Sequence, residues 1–443
     1  MMIELTASIK IYVDDELRLD ELRSQLTYFN PLWASAMKAG KRPASDQPQY
    51  ISAFRQHDDC FEVPAGMAAA VARMFPELVI QDLRGRHSVS IPELSAVCLR
   101  DYQTPAVESA AKVEQATLVA PTGAGKTIIG LSVLQRWGER ALVLVHNREL
   151  ANQWCEEIRK LVGVEPGFIG GGKWREGEQI TVAMLQTLSR NPQRAAELNY
   201  GALLVDEAHH IPSQSFAAVS SSLNVGHRLG LTATPERRDG LGALIEHHLG
   251  PICHRIEADA VRSLGGIVPV VVRPLQFEMD FPPMDSWAEY LDQITASPER
   301  NQWLATLAAR AAEKNPTLLL TDRTEHAELL GQLLPEALVL YGSLSVAERR
   351  RRFEQIDQAR LVIGTTGLLG EGLDIKGLTN LILATPISSE TRLLQAVGRV
   401  IRSREGKGRC FVADVFEPCG FSISSHRKRL AIYQQQGWQL HGG

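Results

Sequence analysis

Ten short apolar runs, arranged as two series of five, restrict this 443-residue chain more than any other feature. TLVA, ALVLV, ITVAM, ALLVD and RLGLT fall between Thr117 and Thr232; TLLLT, ALVLY, LVIGT, LILAT and CFVAD fall between Thr317 and Asp414. Each run has the length of a buried strand and is followed by a polar turn and a longer amphipathic stretch. That alternation predicts parallel strands covered by helices, so the expected fold class is α/β with two similar parallel-sheet domains in tandem. The chain length also exceeds what one ordinary core can fill.

The segments outside the two series read differently. Residues 1–92 combine a strand-like start (IELTASIKIYV), a turn-rich stretch (NPLWASAMKAGKRPASDQPQ) and a helical VPAGMAAAVARMF opened by Pro64. This mixture predicts a small α+β domain. Residues 258–300, rich in Pro and aromatics around VPVVVRPLQFEMDFPPMDSW, read as a connector with a helical segment. The expected domains are therefore 1–92, 93–257, 258–300 and 301–443.

Composition excludes several classes. Apolar residues make up 44% and charged residues 22%, close to globular averages, and no stretch is an uninterrupted apolar membrane span. The start MMIELTASIKIYVDD lacks the basic-then-apolar layout of a signal peptide, so a cytoplasmic protein with no membrane association is expected. Six scattered cysteines without a C-x-x-C pair predict buried free thiols rather than zinc or a redox couple. A net charge of -4 excludes a globally basic coat, so phosphate contacts must be local. Lys38-Lys41-Arg42, Arg349 to Arg352 and Arg427-Lys428-Arg429 are local clusters, although the second, on a helix in SVAERRRRFEQI, reads equally well as a solvated face.

LVAPTGAGKTII, Leu118 to Ile129, places a strand, a Gly-rich turn and an apolar helix in sequence. Gly123 and Gly125 let backbone N–H groups turn toward an anion, and the helix beginning near Lys126 adds the positive end of its dipole. Pro121, Thr122, Ala124 and these glycines would thus cradle the phosphates of ATP. Lys126 would reach the β- and γ-phosphates, and the Thr127 hydroxyl would ligate Mg²⁺. Ala120 stands where the pattern G-x-x-x-x-G-K-[ST] has its first glycine.

Downstream, LLVDEAHHIP ends a buried run in two carboxylates and two histidines. With a phosphate loop upstream, Asp206 suits the Mg²⁺ and Glu207 the attacking water. Chelation by His209 and His210 would need third and fourth ligands that the sequence does not offer. In the second series Gln395, Arg399 and Arg402 fall at i, i+4 and i+7, one helix face able to stabilise γ-phosphate charge when two domains close.

Taken together, these motifs resemble superfamily 2 helicases of the DEAH/DExH type, over about Leu99 to Asp414. LRDYQTPAV, with Arg100 and Gln103, resembles the Q motif that reads adenine. LVHNRELANQW with Arg148 and VAMLQTL with Gln186 and Thr187 resemble the strand-contact motifs. GLTATPERRDG supplies Thr232 and Thr234, which the resemblance assigns, with His209, to coupling between nucleotide and nucleic acid; His209 would face Gln395. TDRTEHAELL with Arg323, GTTGLLGEGLDIKGL with Thr365, Gly372 and Asp374, and QAVGRVIR resemble the later motifs. Arg323 and Thr365 would touch DNA, and Gly372 and Asp374 the nucleotide.

Within the superfamily, TAT before PERRDG, GEGLD and Q-x-x-G-R-x-x-R are most similar to the XPB-like and UvsW-like DNA motors. XPB-like proteins carry Arg-Glu-Asp after TAT; this chain has Arg237, Arg238 and Asp239, with a base replacing the central acid. The resemblance implies two RecA-like domains behind a small α+β domain. It also implies an ATP hydrolase that moves on or remodels duplex or branched DNA in repair, recombination or R-loop and fork processing. A motor subunit of a restriction or phage-defence complex, and an RNA helicase, are the alternatives. Residues 1–92 resemble the leading domain of bacterial and phage XPB-like helicases. With 10 Lys and Arg against 12 Asp and Glu, however, this segment fits docking of a protein partner as well as DNA contact. Phe29, Trp33 and Phe54 would stack on bases or pack in its core.

Overall fold

The computed structural model describes the chain except residues 39, 41, 45–46, 96, 122, 211–213, 234–239, 264–267, 368–376, 402–407 and 442–443. Thr122, Thr234, Arg237, Arg238, Asp239, Gly372, Asp374 and Arg402 therefore lie outside the described residues. The chain divides into two compact units, Met1–Glu257 and Ala258–Gly443.

The first unit opens with β1 (Met2–Leu5), β2 (Ser8–Tyr12), β3 (Thr27–Phe29), β4 (Tyr50–Ser52), β5 (Arg55–Gln56), β6 (Phe61–Pro64) and β7 (Val79–Asp82). Five of these form a sheet in the order β5-β6-β2-β1-β7, and β3 pairs with β4 as a separate ribbon. Ile3, Leu5, Ile9 and Ile11 from one sheet face meet Leu19 and Leu22 of helix α1 (Glu16–Gln25), closing a core with Phe61, Val63 and Val71. Pro64 ends a strand; the α-helix opens four residues later, at Ala68. The ribbon carries α2 (Pro31–Lys38), a helix with no buried side chain.

Residues 1–92 pack directly onto the neighbouring sheet. Arg228, buried in that sheet, donates to the carbonyls of Leu223 (2.8 Å) and Ala7 (3.3 Å) and to the Ser220 hydroxyl (2.9 Å). A Cβ on Gly66 would come within 2.5 Å of the Gly250 backbone, so only glycine permits that approach. The expected boundary at residue 92 therefore separates two sheets inside one compact unit.

The second sheet contains β8 (Gln115–Val119), β9 (Ala141–Val145), β10 (Gly167–Gly170), β11 (Lys173–Arg175), β12 (Ile180–Met184), β13 (Ala202–Val205), β14 (His227–Thr232) and β15 (Ile252–Arg255). Its order is β11-β10-β12-β9-β13-β14-β8-β15, with only the β10–β11 pair antiparallel. All residues of β8, β9 and β13 are buried, as expected of parallel strands covered on both faces. Helix α3 (Ala68–Met74) lies in the N-terminal sheet's core, and α4 (Gln103–Ala111), α5 (Lys126–Trp137) and α6 (Arg148–Leu161) belong to this second layer.

The second unit holds β16 (Val270–Gln276), β17 (Thr317–Thr321), β18 (Leu338–Leu340), β19 (Leu361–Thr365), β20 (Asn380–Leu383), β21 (Cys410–Phe416) and β22 (Gln439–Leu440). They form a parallel sheet in the order β18-β19-β17-β20-β21-β16-β22. The expected connector at 258–300 is thus corrected: VVVRPLQ pairs with β21 from Val270↔Cys410 to Gln276↔Phe416. Pro274 is tolerated because β22 pairs only with Val271 and Val272, leaving the rest of β16 as an edge. Helices Trp287–Ala296 and Pro298–Lys314 come next, each opened by a serine (Ser286, Ser297) whose hydroxyl accepts a backbone N–H of the first turn.

The arginine cluster at 349–352 lies on the helix Val346–Gln355, with the Arg350 and Arg351 side chains 84% and 65% exposed, a solvated face. Burial of the cysteines is only partly as expected. Cys60, Cys155 and Cys410 are buried, Cys253 and Cys419 half-buried, and Cys98 is exposed. No helix among the described residues is long and apolar enough to cross a membrane.

Candidate nucleotide and nucleic-acid site

Three adjacent strands of the second sheet, β13, β14 and β8, deliver the chemistry from their C-terminal ends. After β8, Gly123 (φ 86°) and Gly125 (φ 80°) adopt left-handed backbone, the geometry in which N–H groups turn inward, and α5 starts at Lys126. Ala120 donates its N–H to the Thr232 carbonyl at 2.9 Å, tying the start of this loop to the end of β14. Ala124 is buried, while Pro121 and Thr127 are half-buried.

After β13, Asp206 and Glu207 sit in different surroundings. Asp206 is 8% exposed; its Oδ2 accepts the Trp154 indole N–H at 2.8 Å and its Oδ1 accepts the Glu207 backbone N–H at 2.9 Å. Burial, and then the charge of Glu207, push its pKa up to about 6 against the opposing pull of Lys126. Glu207 has φ 50°, the one positive φ at a non-glycine among the described residues. Strain of this kind persists where the surroundings enforce it and clusters at functional sites. It holds Glu207 with one oxygen 3.3 Å from Lys126 Nζ and the other 3.3 Å from His209 Nδ1. His209 Nδ1 also lies 3.2 Å from the Thr232 hydroxyl. Lys126, Glu207, His209 and Thr232 therefore form one continuous polar line from the phosphate loop to the end of β14.

These residues fit a phosphate-bound cation. A loop of inward N–H groups, a helix N-terminus, a half-buried lysine and a buried carboxylate are the complements of such a group. Gln103 ties the turn before α4 to the phosphate loop. Its Oε1 accepts the Arg100 N–H at 2.9 Å and its Nε2 donates to the Ala124 carbonyl at 2.8 Å, so the carboxamide braces the loop. Arg100 donates to the Tyr102 hydroxyl at 2.9 Å.

Beside this site the same sheet edge carries the residues expected to contact a strand. β9 and β12 run parallel with Val145 opposite Met184, which brings Arg148, at the start of α6, next to Gln186 and Thr187. Arg148 and Gln186 are exposed, and the Gln186 carboxamide donates to the His146 carbonyl. A Cβ at Gly171 (φ 55°) would meet the Arg148 guanidinium at 2.5 Å, so that glycine leaves room for it.

In the second unit, Thr321 pairs with Thr365 at the ends of β17 and β19, so Arg323 and Thr365 share one sheet edge. Arg323 is engaged with Asp292 at 2.9 Å, and Thr365 is 9% exposed. Gln395 and Arg399 lie half-buried one turn apart on the helix Glu390–Val400, whose opposite side buries Leu393, Ala396, Val397 and Val400. Trp154 is the participant that sequence reasoning missed; it sits 52 residues before its partner Asp206.

A P-loop followed by strand-end carboxylates, and a second parallel-sheet unit bearing an arginine helix, define a class of nucleotide-hydrolysing motor. The comparisons with known proteins agree. Residues 96–237 match the family "Type III restriction enzyme, res subunit" and residues 299–404 match "Helicase conserved C-terminal domain", together more than half of the chain. The "Probable helicase D10" of Escherichia phage T5 is 26% identical over 72% of this chain and 71% of its own length. "DNA 3'-5' translocase XPB2" of Sulfurisphaera tokodaii is 38% identical over 38% of this chain and 37% of its own. The chain spans less than two thirds of several such relatives. Dbp5 of S. cerevisiae, solved with RNA and ADP BeF3, shares the fold at a TM-score of 0.54, with 17% identity over 77% of this chain and 89% of that one. The chain belongs to helicase superfamily 2 and is similar to XPB-like DNA helicases within it.

Proposed function

We propose that the chain is an ATP-driven DNA helicase or translocase that moves on, or remodels, duplex or branched DNA. The observation that carries this reading is the polar line through Lys126, Glu207, His209 and Thr232, with Asp206 buried beside it. Lys126 would bind the β- and γ-phosphates, and Thr127 with Asp206 would hold Mg²⁺, which would neutralise charge on the phosphates. Glu207 orients the attacking water, and His209 with Thr232 relays the state of the site to β14. By the resemblance of its helix to the last helicase motif, Arg399 with Gln395 would supply charge to the γ-phosphate.

Relatives named as DNA translocases and helicases support DNA as the track. The exposed Arg148 and Gln186 edge is suited to phosphates, which carry no sequence information, so movement would be sequence-independent. The N-terminal ribbon adds a candidate contact. Phe29 and Tyr50 are 47% and 54% exposed, and Lys38 shares a cavity of about 520 Å³ with Tyr28 and Phe29. Phe54 instead stacks on Phe61 at 5.0 Å in the core.

Steady-state ATP hydrolysis with single-stranded DNA, duplex DNA and RNA in turn tests the proposal. Stimulation by DNA is expected; stimulation by RNA alone would overturn it. The restriction-subunit family match favours a second reading, a motor subunit that unwinds only with a partner. Pull-down followed by strand displacement with and without the captured partner separates the two.

A further inference from the structure

We infer that Trp154 is a positioning residue for the metal-holding carboxylate, and that it joins that carboxylate to the helix that begins at the strand contact. The second half rests on the motor reading of the chain; the first does not.

The side chain is 1% exposed, yet it carries a polar N–H whose acceptor is Asp206 Oδ2 at 2.8 Å. Together with the Glu207 N–H on Oδ1, this fixes both oxygens of Asp206 and leaves each a lone pair for a metal or its water. Hydrogen bonds of this kind to ligating carboxylates set both orientation and affinity. The ring also touches the phosphate-loop helix: a Cβ on Gly130 would lie 3.2 Å from Trp154 Cη2, so α5 and α6 pack there at glycine distance.

The same α6 begins at Arg148, exposed on the strand-contact edge, and buries Leu150, Ala151, Trp154, Cys155 and Ile158. Asn147 caps it, accepting the Leu150 N–H at 2.8 Å. Six residues of helix span about 9 Å. A shift of α6 driven by a bound strand at Arg148 would therefore carry the indole N–H, and the carboxylate it holds, with it.

The experiment is Trp154→Phe, which keeps an aromatic ring and removes the donor, paired with benzothienylalanine at position 154, which replaces the N–H by sulfur in the same shape. Binding of a fluorescent ADP is titrated with MgCl₂ without nucleic acid, alongside thermal melting. Both variants should melt close to the parent and need about tenfold more Mg²⁺ for half-saturation. ATP turnover should fall while KM at saturating Mg²⁺ changes less than about twofold, and stimulation by DNA should shrink. Parental Mg²⁺ half-saturation in the isosteric variant would overturn the positioning role, whatever Trp154→Phe does to folding. A parental stimulation ratio with a raised Mg²⁺ requirement would overturn the joint alone. If no nucleic acid stimulates even the parent, the motor reading fails while the Mg²⁺ titration still decides Trp154.

Discussion

Glu207 combines a strained backbone with a lysine and an imidazole as neighbours, and both facts bear on what its replacement does. Because Lys126 rests 3.3 Å from Glu207, incoming phosphates must take the lysine from it. Glu207→Gln should therefore bind nucleotide at least as tightly as the parent while turnover falls by about 100-fold or more, read by equilibrium binding and single-turnover hydrolysis. Parental turnover would remove Glu207 from the water-positioning role. Lys126→Ala should lose nucleotide binding itself. Asp206 gives a pH signature with a definite sign. Its carboxyl is held at about 6 against a usual 3.8, so Mg²⁺-dependent nucleotide binding should weaken as pH falls from 7 to 5. Protonation of Asp206 itself favours the folded state as pH drops, but burial holds His227, His247, His248 and His326 well below the usual imidazole range, so acid also favours unfolding in this window and a melt at each pH must accompany the titration. Equal Mg²⁺ dependence at pH 5 and 8 would contradict the assignment. Asp206 and Glu207 were legible in the sequence because a phosphate loop lay upstream of a strand-end carboxylate pair. The Trp154 bond was not, since only folding brings helix α6 over the end of β13. Nor was the bracing role of Gln103, which depends on where the Ala124 carbonyl points.

Strand ends carry the site in both units, and the apolar runs made those strands readable. The missed β16 shows the limit of that signal: a proline inside a run argues against a strand unless the strand is known to lie near a sheet edge. Behind the sheet of the second unit, Arg300 and Glu417, both with fully buried side chains, meet at 2.7 Å. Arg300 also donates to the Ala384 carbonyl at 2.7 Å, and Tyr290 and Ser422 complete the glutamate's partners. This network fixes the end of β20, from which the chain runs on to Ser389, the cap of the helix bearing Gln395 and Arg399. Arg300→Met should strand a buried carboxylate and destabilise the second unit by about 3–5 kcal/mol, measured by chemical denaturation. A loss under about 1 kcal/mol would show that the pair is not structurally required.

At the scale of the chain, a net charge of -4 leaves phosphate contacts to local features such as the Arg148 and Gln186 edge. Affinity for DNA should fall about tenfold or more between 50 and 200 mM salt, because contacts to phosphates release counterions; a flat response would count against backbone tracking. The tandem architecture was readable from two series of apolar runs. The packing of residues 1–92 against the neighbouring sheet was not, since Arg228 reaching the Ala7 carbonyl is a contact across 221 residues. In the proposed function, hydrolysis at Lys126, Asp206 and Glu207 drives movement on DNA. Strand displacement on a forked DNA, comparing the parent with Glu207→Gln at saturating ATP, tests it most directly. The parent should displace the strand only with ATP and the variant not at all, although both bind the fork; equal displacement by the two, or by the parent without ATP, would rule the coupling out.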